Sequence, residues 1–231
     1  MKTDIVRRYS HNPILSKTEI PYPVETVHNA AVVKYGNQYI MLFRSHLRTG
    51  RSIIGLARSP DGFRFTADPQ PFLTPERDGT FAAYEEFGVE DPRVTLVEGE
   101  FIITYSAYSR NGVRIALAKT RDFRRVERVS LITEADYRNV VIFPEKFDGL
   151  YARLDRPHSE IAPWSIWISF SGSLLLGPIT AHHEACAISL GRNEDRSRRA
   201  TDKDTPGMAF HLSRSFQNNG WLCLSSGSCS S

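Results

Sequence analysis

An aspartate placed just ahead of an apolar strand can serve as an acid. The segment Phe87-Gly88-Val89-Glu90-Asp91-Pro92-Arg93-Val94 offers one in Asp91. Such a carboxyl can give up a proton to a ligand, the more readily if partial burial raises its pKa. The same Asp-Pro pair also reads as a turn capped by its own backbone. The cationic candidates are Arg44, Arg93, Arg138 and Arg156, all at ends of predicted strands. Arginine grips an oxyanion such as phosphate with two parallel bonds. Taken singly, each also fits a solvated or stacking arginine on a rim. Nothing points to a metal. Cys186, Cys223 and Cys229 form no CxxC pair, and His182-His183-Glu184 has no predicted strand or helix to orient it.

The elements that must carry these residues are strands. Ala31–Tyr35 and Tyr39–Phe43 flank the tight-turn pair Gly36-Asn37. Arg93–Val97 and Phe101–Tyr105 flank Glu98-Gly99-Glu100, and Val140–Phe143 and Leu150–Arg153 flank a turn with Asp148-Gly149. A third apolar strand follows each hairpin: Ile53–Ala57, Val113–Ala118 and Ser165–Ser169. Two of these run into similar polar turns, Ser59–Phe63 and Thr120–Phe123. One unit of roughly four strands thus recurs about three times, with no amphipathic helix between, the pattern of a β-propeller. A β-sandwich with irregular spacing is the alternative. In a propeller the innermost strands converge on a channel, so polar residues at their starts can meet. His28-Asn29, Glu90-Asp91-Pro92-Arg93 and Tyr137-Arg138-Asn139 stand at those starts.

Composition agrees with an ordinary globular chain. The 231 residues are 41% hydrophobic and 24% charged, which excludes a disordered, collagen-like or coiled-coil protein. Lys+Arg 29 against Asp+Glu 26 leaves +3, with the signs interspersed, so no nucleic-acid groove is expected. No apolar run approaches the roughly 20 residues needed to cross a bilayer. The start MKTDIVRRYS has no apolar core of a secretory signal, and the expected location is cytoplasmic.

Several segments resemble glycoside hydrolase family 130, the mannoside phosphorylases. They are residues 28–44 (HNAAVVKYGNQYIMLFR), 85–95 (EEFGVEDPRVT), 138–157 (RNVVIFPEKFDGLYARLDRP) and 167–171 (WISFS). The resemblance covers nearly all of residues 5–171 and implies an all-β, five-bladed propeller. It also implies a glycosidase-family enzyme of carbohydrate metabolism, formally a glycosyltransferase. Such an enzyme cleaves β-mannosides with inorganic phosphate, inverting them to mannose 1-phosphate and a shortened acceptor. The family's catalytic acid falls on Asp91, and its sugar-holding asparagine and arginine on Asn29 and Arg44. Glu90 and Arg93 join them in the expected substrate-binding set. Two phosphate-binding arginines fall on Arg138 and Arg156. Ala30 departs from relatives that have a serine near the mannose. In the family the acid is thought to act through a hydroxyl of the bound mannose. Phosphate is already an anionic nucleophile, so one acid and cationic holders suffice where an inverting hydrolase needs two carboxylates. No cofactor is expected besides phosphate as co-substrate. A β-mannoside hydrolase of the same family and a non-catalytic sugar-binding fragment are the alternatives.

Residues 172–231 are of another kind, with all three cysteines, clustered serines and no hydrophobic period. A disordered or divergent extension is one reading. A reading-frame shift near residue 171 is the other. Sliding the codons of Gly207–Ser215 by one nucleotide permits Gly-Trp-Leu-Phe-Ile-Tyr-His-Gly-Val, with the Trp forced by Met208 before Ala209. Family-like segments also become permitted from Ser171, Asp195 and Phe216 onward. The expected organisation is therefore a partial catalytic propeller of about three blades over 1–171 and an out-of-frame, poorly structured tail over 172–231. Such a truncated chain is expected to be impaired, and an inert product of a damaged gene is a further alternative.

Overall fold

Runs of β-branched and aromatic residues broken by left-handed turns leave the chain little choice but antiparallel hairpins. Glu98-Gly99 (φ 48° and 84°) and Asp148-Gly149 (φ 49° and 79°) both take the two positive φ values that a tight type I′ turn requires. A computed structural model describes residues 8–157, 166–174 and the strand Cys186–Ile188. Its strands are β1 (His28–Tyr35), β2 (Gln38–His46), β3 (Ser52–Ser59), β4 (Thr66–Ala67), β5 (Gly88–Val97) and β6 (Glu100–Ser109). They continue with β7 (Gly112–Thr120), β8 (Glu127–Leu131), β9 (Val141–Phe147), β10 (Leu150–Asp155), β11 (Ile166–Ser171) and β12 (Cys186–Ile188). Among the described residues the helical content is one 3₁₀ turn, Lys17–Glu19. The fold is all-β, as expected.

The strands form three antiparallel units of four: β1–β4, β5–β8 and β9–β12. The first two share one sheet through a single parallel bridge, Ser52 to Gly88, and the third is a separate sheet. Gly88 (φ 150°) is required at that bridge, because a Cβ there would lie 2.6 Å from the Ser52 nitrogen. The first strands of successive units touch, β1 with β5 and β5 with β9. β12 pairs with β11 in a stretch where the sequence pattern offers no strand template. His182, His183 and Glu184, the cysteines 223 and 229, and the residues 189–231 invoked for a shifted frame lie outside the described residues.

Period-two alternation sorts the core. On β2, Ile40 and Leu42 face a cluster shared with Ile54, Leu56, Val89, Ile103 and Tyr105 between the first two units. Met41 and Phe43 face the other way, onto Leu15, Ile20 and Phe65. The same alternation on β6 and β7 aims Ile102, Ile115 and Leu117 at Val140 and Ile142 of the third unit. Arg44 continues the row of Ile40 and Leu42, so it leaves the core still facing the second unit. The polar turns recur as expected. Ser59 Oγ accepts from the Gly62 N–H at 2.8 Å, and Thr120 Oγ1 from the Phe123 N–H at 3.0 Å.

Candidate functional site

The first strand of each unit carries a left-handed residue within its opening residues or just ahead of them. Asn29 (φ 49°), Asp91 (φ 50°) and Asn139 (φ 58°) take this backbone, which Asn and Asp tolerate better than other side-chain-bearing residues. The register around them repeats. His28 lies opposite Arg44 and then Ala31 opposite Leu42; Glu90 lies opposite Ser106 and then Arg93 opposite Thr104. In the third unit the Arg138 N–H donates to the Arg156 carbonyl at 3.0 Å, with Val141 opposite Leu154 beyond. Arg44, Ser106 and Arg156 therefore hold one cross-strand place in three units, and His28, Glu90 and Arg138 another.

These placements build one bonded network. Asp91 Oδ1 accepts from Asn29 Nδ2 at 2.7 Å and from Arg44 Nη1 at 3.2 Å. Glu90 Oε1 accepts from Arg44 Nη2 at 2.6 Å and from Ser52 Oγ at 2.9 Å, and Glu90 Oε2 from Arg138 Nη1 at 3.3 Å. Glu90 and Asp91 are 4% and 8% exposed, so each carboxylate has lost most of its water and depends on these donors. Arg138 is the open member, its side chain 41% exposed. Arg93 donates to the Pro92 carbonyl at 2.8 Å and acts on Asp91 through its charge. Arg156 is tied in by its backbone bond to Arg138.

The electrostatics of Asp91 differ from the expectation that burial raises its pKa. Burial does push the carboxyl up, but the Asn29 amide, the Arg44 guanidinium and the Arg93 charge together outweigh it. The group is held below the ordinary aspartate range. Asp155, 2% exposed, goes the other way. There burial outweighs Arg153 and Ser169 and raises the carboxyl.

Sequence reasoning missed several members. Ser52 reads as an ordinary strand start, yet it links Arg44 to Glu90. His46 meets Arg44 Nη2 at 3.0 Å, and its ring stacks on His28 at 5.3 Å. Asn139 Oδ1 and Ser106 Oγ are both buried without a hydrogen-bond partner. Asn139, which the sequence already sets at the third strand start beside Arg138, repeats the backbone place of Asn29 and Asp91. Among the described residues no cluster of His, Cys, Asp and Glu is suited to hold a metal. No described helix is long and apolar enough to cross a membrane.

The carboxylates of Glu90 and Asp91 are thus threaded among the guanidiniums of Arg44 and Arg138 on an all-β scaffold. Residues 1–180 match the glycoside hydrolase family 130 profile, described as beta-1,4-mannooligosaccharide phosphorylase, and the chain belongs to that family. It is 42% identical over 127 residues to the beta-1,2-mannobiose phosphorylase of Listeria innocua serovar 6a, covering 54% of this chain and 34% of the relative. It is 26% identical over 205 residues to the 1,2-beta-oligomannan phosphorylase of a Thermoanaerobacter species, covering 80% and 66%. The solved structure of a Listeria innocua beta-1,2-mannobiose phosphorylase in complex with beta-1,2-mannobiose superposes with a TM-score of 0.65 at 27% identity, covering 73% of this chain and 63% of that one. A glycosyl hydrolase from Bacteroides ovatus shares the fold with a TM-score of 0.65 at 21% identity, covering 76% and 58%. The chain thus spans between about a third and two thirds of the length of these relatives.

Proposed function

We propose that this chain carries the site of an inverting β-mannoside phosphorylase, with Asp91 as the acid. Asn29 and Arg44, with Glu90 and Arg93, hold the mannose. Arg138 and Arg156 hold phosphate on the opposite face of the sugar. The bond from the mannose C1 to the leaving oxygen breaks, a bond from C1 to a phosphate oxygen forms, and the Asp91 proton reaches the leaving oxygen through a mannose hydroxyl. The observation that carries this reading is the single network in which Asn29 and Arg44 meet Asp91 while Glu90 links Arg44 to Arg138. In the open site Asp91 sits low and charged. A bound sugar strips its remaining water and a phosphate anion offsets the cationic field; both move the carboxyl toward a working proton donor. A β-1,2 linkage is the first to test, supported by the 42% identical Listeria relative.

The three units are read as blades of a five-bladed propeller, with the reading frame lost near residue 171. Residues 1–171 are then a partial catalytic domain and 172–231 an out-of-frame tail. The run of family-like segments that a one-nucleotide slide permits supports this second reading. An open arc leaves edge strands and apolar faces uncovered, which impairs folding and turnover. Sequencing the locus and expressing the chain with and without the restored frame tests both proposals. The restored protein is expected to release mannose 1-phosphate from β-1,2-mannobiose, and the chain as it stands little or none. Equal turnover by both would overturn the frame reading. No product from the restored protein would overturn the activity.

A further inference from the structure

The hydrogen bonds around His46 have only one consistent solution. Its Nε2 faces Arg44 Nη2 at 3.0 Å, and a guanidinium can only donate. Nε2 must therefore be the bare acceptor, and the ring proton must sit on Nδ1. Thr26 Oγ1 stands 3.0 Å from Nδ1 and also accepts the His46 backbone N–H at 3.0 Å. The ring is thus gripped at both nitrogens, with the backbone as a third point. A second proton on Nε2 would set an N–H against the guanidinium and lose the bond. His28 stacks on the ring from β1.

Arg44 is consequently held on every side. Nε donates to Ser52 Oγ at 3.3 Å, Nη1 to Asp91 at 3.2 Å, and Nη2 to Glu90 at 2.6 Å and to His46. Each Nη2 hydrogen then has its own acceptor. Without His46, one of them loses its partner and the fork is free to turn about the Glu90 bond.

We infer that His46, locked as the Nδ1–H tautomer by Thr26, is a positioning residue that aims the Arg44 guanidinium at Asp91. Its bonds go to Thr26 and Arg44 and not to Asp91, so it acts through Arg44. The inference deepens the proposed function, because Arg44 and Asp91 matter there as sugar holder and acid. Its test needs no turnover.

Nitrogen-15 histidine spectra of the full chain read the tautomer directly, with the His46 signals identified by their loss in His46→Gln. An unprotonated Nε2 beside a protonated Nδ1 is expected. A protonated Nε2 in the unsubstituted chain overturns the assignment, whatever the variants do. Carbon-13 titration of the Asp91 carboxyl reads the positioning. His46→Leu removes the acceptor, so Arg44 loosens, burial prevails and the Asp91 titration moves up. His46→Gln presents a carbonyl oxygen to Nη2 and is expected to leave the titration near its original place. An unchanged Asp91 titration in a folded His46→Leu chain refutes the positioning role. Because neither readout involves mannoside or phosphate, a failure of the proposed activity would leave these results readable by themselves.

Discussion

Asn29 and Asp91 occupy the same left-handed place in consecutive units, yet only one of them can carry a proton to a ligand. Their neighbours differ in step. The first unit sets Arg44 in the cross-strand place, where it reaches forward to Glu90 and Asp91. The second unit sets Ser106 there, too short to reach the third unit's Arg138 as Arg44 reaches Glu90. The lesson is that the repeat supplies equivalent backbone places and chemistry comes from filling them unequally: amide, carboxyl, amide on one track, and guanidinium, hydroxyl, guanidinium on the other.

Making the second unit more like the first is the sharpest way to break this comparison. Asp91→Asn keeps the backbone preference and the shape but removes the titratable proton. In the frame-restored protein, phosphorolysis should fall by about 10²- to 10⁴-fold, the usual worth of a general acid. Steady-state rates and a thermal melt check it; full activity would remove Asp91 from the reaction. The converse swap, Arg44→Ser, leaves Glu90 and Asp91 buried with their main cation gone. Breaking such a pair costs about 3–5 kcal/mol, read as a lowered urea midpoint, and a midpoint within about 0.5 kcal/mol of the parent would show the network to be loose.

The smallest effect is a difference in slope. Asp91 has a lowered carboxyl, so its contribution to stability is present above the unfolded aspartate pKa and fades as pH falls through the folded value. Asp155 has a raised one, so its contribution is present at low pH and fades as pH rises through the folded value. Relative to the parent, Asp91→Asn should lose ground and Asp155→Asn gain it as pH climbs from the acid range to neutral. Urea midpoints across that range check it. Slopes of the same sign would contradict the opposed electrostatics of the two sites.

Much of this was legible in the residues because strand repeats leave local marks. Apolar runs, Gly-containing turns and the Ser59 and Thr120 caps are decided within a few residues of each other, and all appear where expected. Asp91, Asn29 and Arg44 were legible as polar residues at strand ends, and the network joins them. What was hidden depends on register and on contacts distant in the chain. The equivalence of Arg44, Ser106 and Arg156 exists only once the bulge after each left-handed residue is known. Ser52 and His46 carry no signal of their own, and their partners are supplied by folding. The same holds for buried Glu85, which accepts from Tyr105 at 2.6 Å and from Arg128, 43 residues away, at 2.8 Å. The sign of the Asp91 shift was hidden too, since it is the balance of burial against Asn29 and Arg44 from other strands and Arg93 from its own.

The most direct measurement is the product formed from β-1,2-mannobiose by the frame-restored protein, followed by proton and phosphorus NMR with and without inorganic phosphate. A single acid facing guanidinium-held phosphate predicts mannose 1-phosphate of the inverted α configuration, formed only when phosphate is present. Free mannose released at the same rate in both conditions would contradict it.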